Sequence, residues 1–106
     1  MKRGEIWTLQ DRNYASKARP VVVIQSDSHN AFDSVILCLF TSFESEGIST
    51  RVHVSPSIEN GLQKDSYVMT DKIVTVDKAL IGKRIGALSN DDMIAVSEQL
   101  KIILDL

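Results

Sequence analysis

Three side chains in this sequence are of the types that cleave a phosphodiester without a metal: the guanidinium of Arg19, the hydroxyl of Thr41 and the carboxylate of Asp71. A guanidinium holds a phosphate with its planar fork and stabilises charge on the oxygens. A hydroxyl donates to a non-bridging or leaving oxygen, and a carboxylate takes the proton from an attacking 2′-OH. Arg19 precedes Pro20 and the four β-branched residues Val21 to Ile24, so its backbone is biased toward the extended region and it stands at the rim of a strand. Thr41 and Ser42 follow the apolar run that Phe40 closes, and Asp71 follows Tyr67-Val68-Met69-Thr70, where one strand hands over to the next. Taken singly, each also reads as an ordinary surface ion pair, strand residue or turn residue, and spacing alone does not choose between the readings.

The elements that must position these groups are mostly strands. Apolar and alternating runs predict strands at about 4–10, 19–25, 34–41, 50–55 and 66–70, with a short one near 72–76. Asn60-Gly61 predicts a turn. Gly82 and Gly86 interrupt the stretch before the last element, and a short turn or helix is expected near 77–81. Ser89 followed by Asn90-Asp91-Asp92 predicts an N-cap with acids in the first helical turn. Met93, Val96, Leu100, Ile103 and Leu104 then recur on one helical face. The expected fold is β-rich α+β, a compact and partly open β-barrel with the C-terminal helix packed on it.

A length of 106 residues with 43% hydrophobic and 25% charged residues suits one globular domain spanning 1–106. The single Cys38 lies in an apolar run and predicts a buried, inert thiol. His29 and His53 have no metal-ligand partner at useful spacing, and no Gly-rich phosphate loop is present, so no metal and no cofactor is expected. No apolar stretch is long enough for a membrane span, and the cytoplasm is the expected location. The formal charge of −2 hides an asymmetry: residues 1–25 carry five basic side chains against two acids, and residues 89–106 carry four acids against Lys101. Such polarity permits a polyanionic partner without requiring one.

Arg3-Gly4-Glu5-Ile6-Trp7, Arg19-Pro20-Val21-Val22-Val23-Ile24-Gln25-Ser26-Asp27, Asn30, Phe40-Thr41-Ser42 and Tyr67 to Asp77 together resemble the MazF/PemK toxins, the endoribonucleases of bacterial type II toxin–antitoxin systems. The resemblance covers nearly the whole chain. It implies a small SH3-like barrel of the CcdB/PemK type, a homodimer, single-stranded RNA or mRNA bound in a groove at the dimer interface, and a cognate antitoxin that fills the same groove. It also implies Arg19 and Thr41 as the catalytic pair, cutting without metal to leave a 2′,3′-cyclic phosphate and a 5′-hydroxyl. Asp71, His53 and solvent stand as alternative proton acceptors, since arginine with a pKa of about 12.5 or above is a poor base near neutrality.

Two departures from the family bear on the site. The loop from Asp11 to Ala18 lacks the family's Gly-x-Glu-Gln stretch, which leaves Tyr14, Ser16 and Lys17 as its candidate RNA contacts. Met69 stands where some members carry an arginine two residues before the aspartate. Ser42 and Phe43, beside Thr41, complete the candidate RNA-binding set, with Phe43 suited to stack on a base. Competing readings are a CcdB-like gyrase poison, whose tryptophan-glycine-isoleucine ending is missing here, and an inactive relative that binds RNA or a partner.

Overall fold

The computed structural model describes residues 1–11, 15–44 and 47–106. Six strands form one antiparallel sheet: β1 (Glu5–Asp11), β2 (Ala15–Val23), β3 (Ser34–Thr41), β4 (Arg51–Val54), β5 (Ser66–Asp77) and β6 (Ile81–Ala87). Their order across the sheet is β4-β5-β3-β2-β1-β6. Helix α1 (Asn90–Leu104) follows the last strand, and short 3₁₀ turns lie at Asp27–His29 and Lys78–Leu80.

The sheet buries apolar side chains on both faces, as the unbroken runs in β2 and β3 require. On one face Ile6, Val22, Cys38, Phe40 and Val68 meet Val96 and Leu100 of α1. On the other, Leu9, Val21, Val23, Val35, Leu37 and Val76 form a second cluster, with Trp7 packed against it. Ser89 caps α1 as expected, its hydroxyl accepting the Asp92 N–H at 3.1 Å. Arg3 ties the helix to the sheet, donating to the Ser97 hydroxyl at 2.8 Å and to the Ile24 carbonyl.

The free edges of an open sheet invite mispairing. Here the β4–β5 connection crosses to β6, and the Ala87 N–H donates to the Glu59 carbonyl at 2.9 Å. Buried Asn60 holds this connection in shape: its side-chain oxygen accepts from Ser57 and Leu62, and its amide donates to Ser55. A side chain on Gly86 would strike the Asn60 and Glu59 carbonyls, and one on Gly61, at φ +68°, would strike Ile85. The two glycines let connection and strand touch, and the sheet curls into a partly open barrel.

Several expectations are corrected. Residues 81–87 form a sixth strand, and only Lys78–Leu80 make the short turn expected near 77–81. The two strands expected at 66–70 and 72–76 are one, because a bulge absorbs Thr70, Asp71 and Lys72: Cys38 pairs with Ile73 while the next residue, Leu39, pairs with Met69. β2 starts at Ala15, which places Arg19 inside the strand instead of at its start. Val96 and Leu100 face the core, whereas Ile103 and Leu104 at the end of the helix are exposed.

Candidate ribonuclease site

Arg19 and Thr41 each end an apolar stripe on the same side of the sheet. Residues two apart on a strand share a face, so Arg19 continues Val21 and Val23, while Thr41 continues Leu37 and Leu39. Val21 pairs with Leu39. Carrying that register two residues further along both strands sets Arg19 level with Thr41. Behind Arg19 the partner across β1 is Leu9, fully buried, so the guanidinium is exposed above an anchored backbone.

The Thr41 hydroxyl has a defined role in the structure. Its oxygen accepts the Phe43 N–H at 3.1 Å, which leaves the hydroxyl proton to donate outward. That short turn also throws Phe43 into solvent at 78% exposure, next to exposed Ser42. Tyr14 lies outside the described residues. Ser16 and Lys17 lie on β2, but their side chains are outside the described part.

Asp71 sits in the β5 bulge and not at a strand boundary. Arg51 of β4 pairs across with Met69, and its guanidinium reaches round to Asp71, Nε to Oδ1 and Nη2 to Oδ2, each at 3.4 Å. Burial by itself would raise the Asp71 carboxyl. The hydrogen bonds from Arg51 and its own backbone N–H, with the charges of Arg51 and Lys72, outweigh burial and hold it below its ordinary 3.8. Arg51 was not singled out in the sequence. Its only local signal was its place at the start of the alternating run 50–55.

Tyr67 links the two sides of this region. It pairs with Thr41 on β3 and with His53 on β4, and its phenol donates to Glu44 at 3.4 Å. The Cys38 thiol is fully buried, and desolvation, aided by the nearby Asp71 charge and opposed by Arg3, pushes its pKa up to about 12. Its burial is what the apolar run predicted. Among the described residues no three His, Cys, Asp or Glu side chains converge, and no helix is long and apolar enough to cross a membrane.

The family described as PemK-like, MazF-like toxin of type II toxin–antitoxin systems matches residues 2–104. A probable endoribonuclease MazF of Mycolicibacterium smegmatis is 34% identical over 107 aligned positions, which cover 100% of this chain and 98% of that protein. An endoribonuclease solved in complex with its cognate antitoxin, from a mycobacterial species, superposes with a TM-score of 0.84 at 25% identity, over 100% of this chain and 96% of that one. The Mycobacterium tuberculosis toxin MazF-mt6 gives a TM-score of 0.81 at 26% identity, covering 96% of this chain and 97% of its own. With its barrel, its closing helix and its full-length similarity to a MazF protein, the chain belongs to the PemK-like, MazF-like toxins of type II toxin–antitoxin systems.

Proposed function

We propose that this toxin is a metal-independent endoribonuclease that cuts single-stranded mRNA in the cytoplasm, with Arg19, Thr41 and Asp71 as its catalytic residues. What supports the assignment is the β2–β3 register, in which Val21 pairs with Leu39; continued two residues along both strands, it brings Arg19 beside Thr41. Arg19 grips the scissile phosphate and stabilises the charge that grows on its oxygens. Thr41 donates its free hydroxyl proton to a non-bridging oxygen. The 2′-oxygen attacks phosphorus, its proton passes to Asp71, and the bond from phosphorus to the 5′-oxygen breaks. The leaving oxygen takes a proton from solvent, so the products are a 2′,3′-cyclic phosphate and a 5′-hydroxyl.

Ser42 and Phe43 contact the RNA beside the cut, the exposed ring stacking on a base. Tyr14, Ser16 and Lys17 are proposed as further RNA contacts. The toxin works as a homodimer and is silenced by a cognate antitoxin, a reading supported by the relative solved in complex with its own antitoxin. Exposed Ile102, Ile103, Leu104 and Leu106 at the end of α1 are also consistent with an assembled state.

The test is incubation of the purified protein with a long unstructured RNA in EDTA, beside Arg19→Ala, with the ends mapped. Discrete cuts bearing cyclic phosphate, made by the wild type alone, are expected. Intact RNA from the folded wild-type protein removes the catalytic assignment.

A further inference from the structure

The row of residues that begins with Arg19 and Thr41 does not stop there. Pairing of Thr41 with Tyr67 and of Tyr67 with His53 extends it across β5 to the edge strand β4. Directly paired residues share a face, so hydroxyl, phenol and imidazole stand in one line. The His53 ring lies against the Tyr67 ring, centroids 5.1 Å apart and planes 39° apart. Its Nε2 is 2.8 Å from Asp65 Oδ1. Tyr67 is buried, yet the His53 side chain is 49% exposed. His53 also lines a groove of about 530 Å³ with Ser55, Ile58, Asn60 and Asp92.

An exposed imidazole braced by a buried ring on one side and a carboxylate at one nitrogen is stiffer than a surface histidine needs to be. Two strand spacings of about 4.8 Å separate His53 from Thr41. That is too far to serve the reacting phosphate and suits the neighbouring nucleotide. With Nε2–H directed to Asp65, Nδ1 is the ring's remaining polar atom, an acceptor in that neutral tautomer.

We propose that His53, stacked on Tyr67 and fixed by Asp65, is a specificity residue that stacks on one nucleobase flanking the cleaved bond and accepts a hydrogen bond from its exocyclic amine. The inference rests on the ribonuclease reading and adds a subsite to it. Uracil, which has no amine, is disfavoured at that one position by about fivefold, the worth of a single net hydrogen bond.

The experiment cleaves a pool of RNAs randomised around the cut and sequences the products for wild type, His53→Phe, His53→Ala and Asp65→Asn. His53→Phe keeps the stacking surface and loses the acceptor, so the bias against uracil should be erased at one position only. Asp65→Asn should blur the same position, and His53→Ala should in addition raise KM with little change in kcat. Position profiles identical in all four proteins overturn the subsite and leave the ribonuclease reading standing. A wild type that cuts nothing overturns both. Thermal melts of the variants separate loss of fold from loss of selectivity.

Discussion

The Thr70 hydroxyl donates to the Thr50 carbonyl, which fastens the β5 bulge to β4 one residue before Arg51. Thr70 is fully buried, and Asp71 follows it directly. The ion pair beside the candidate site is therefore set by two bonds from neighbouring residues to neighbouring residues.

Replacing Thr70 with Val keeps the shape and takes the donor from the half-buried Thr50 carbonyl. Loss of about 1–3 kcal/mol of stability is expected from an unsatisfied acceptor, read as a lower urea midpoint with unchanged slope. Activity should fall further than stability explains, because Asp71 loses its mount.

Thr41→Val removes the donor to the phosphate and the acceptor for the Phe43 N–H, both at an exposed strand end. The melting temperature should barely move. The cleavage rate should drop by roughly 10²–10³, as when one preorganised donor to a developing oxyanion is deleted. A rate within a factor of a few of wild type would remove Thr41 from the chemistry.

Arg51→Met tests the origin of the depressed Asp71 pKa. With the partner gone, burial is less opposed and the carboxyl pKa rises. If Asp71 is the base, the acid limb of the kcat/KM profile should shift to higher pH. The same depression is a stability term. It is fully present above the ordinary 3.8 and is lost as pH falls through the lower folded value. Glu5 behaves alike. Burial raises it, but the Lys2 backbone N–H, Trp7 and Arg84 outweigh this and hold it below its ordinary 4.5. Acid unfolding of the wild type should thus set in only below these ordinary values, and Arg51→Met should flatten the dependence.

Gly86→Ala places a methyl against the Asn60 and Glu59 carbonyls, which are backbone and cannot swing away. A cost of at least about 2 kcal/mol is expected, as for overpacking in a rigid site. At ~4–8 °C per kcal/mol for a domain of this size, a thermal melt resolves it easily. Gly82→Ala is a useful contrast, since there the clash is with the Thr8 side chain.

What could be read from the sequence was local. The Ser89 cap and the helical spacing of Val96 and Leu100 predicted α1, and Phe40-Thr41 marked a strand end. β6 was missed because Gly82 and Gly86 resemble helix and strand breakers. Gly86 is glycine for a tertiary reason, the close approach of residues 59–60. The division of β5 at Asp71 had the same origin, since a bulge is defined by the strand opposite it. The Arg51–Asp71 and His53–Asp65 pairs join residues 20 and 12 positions apart. No periodicity encodes them; only the β4–β5 register does.

The way β1 is completed also bears on when the protein becomes a toxin. Its outer partner is β6, with Glu5 bound to Arg84 across 79 positions and Arg3 bound to Ser97 across 94. Contacts this distant in the chain make folding slow for a small domain. During synthesis the first strand keeps an open edge until the final quarter of these residues has emerged. The assembled cleavage surface is then expected only after most of the polypeptide is made.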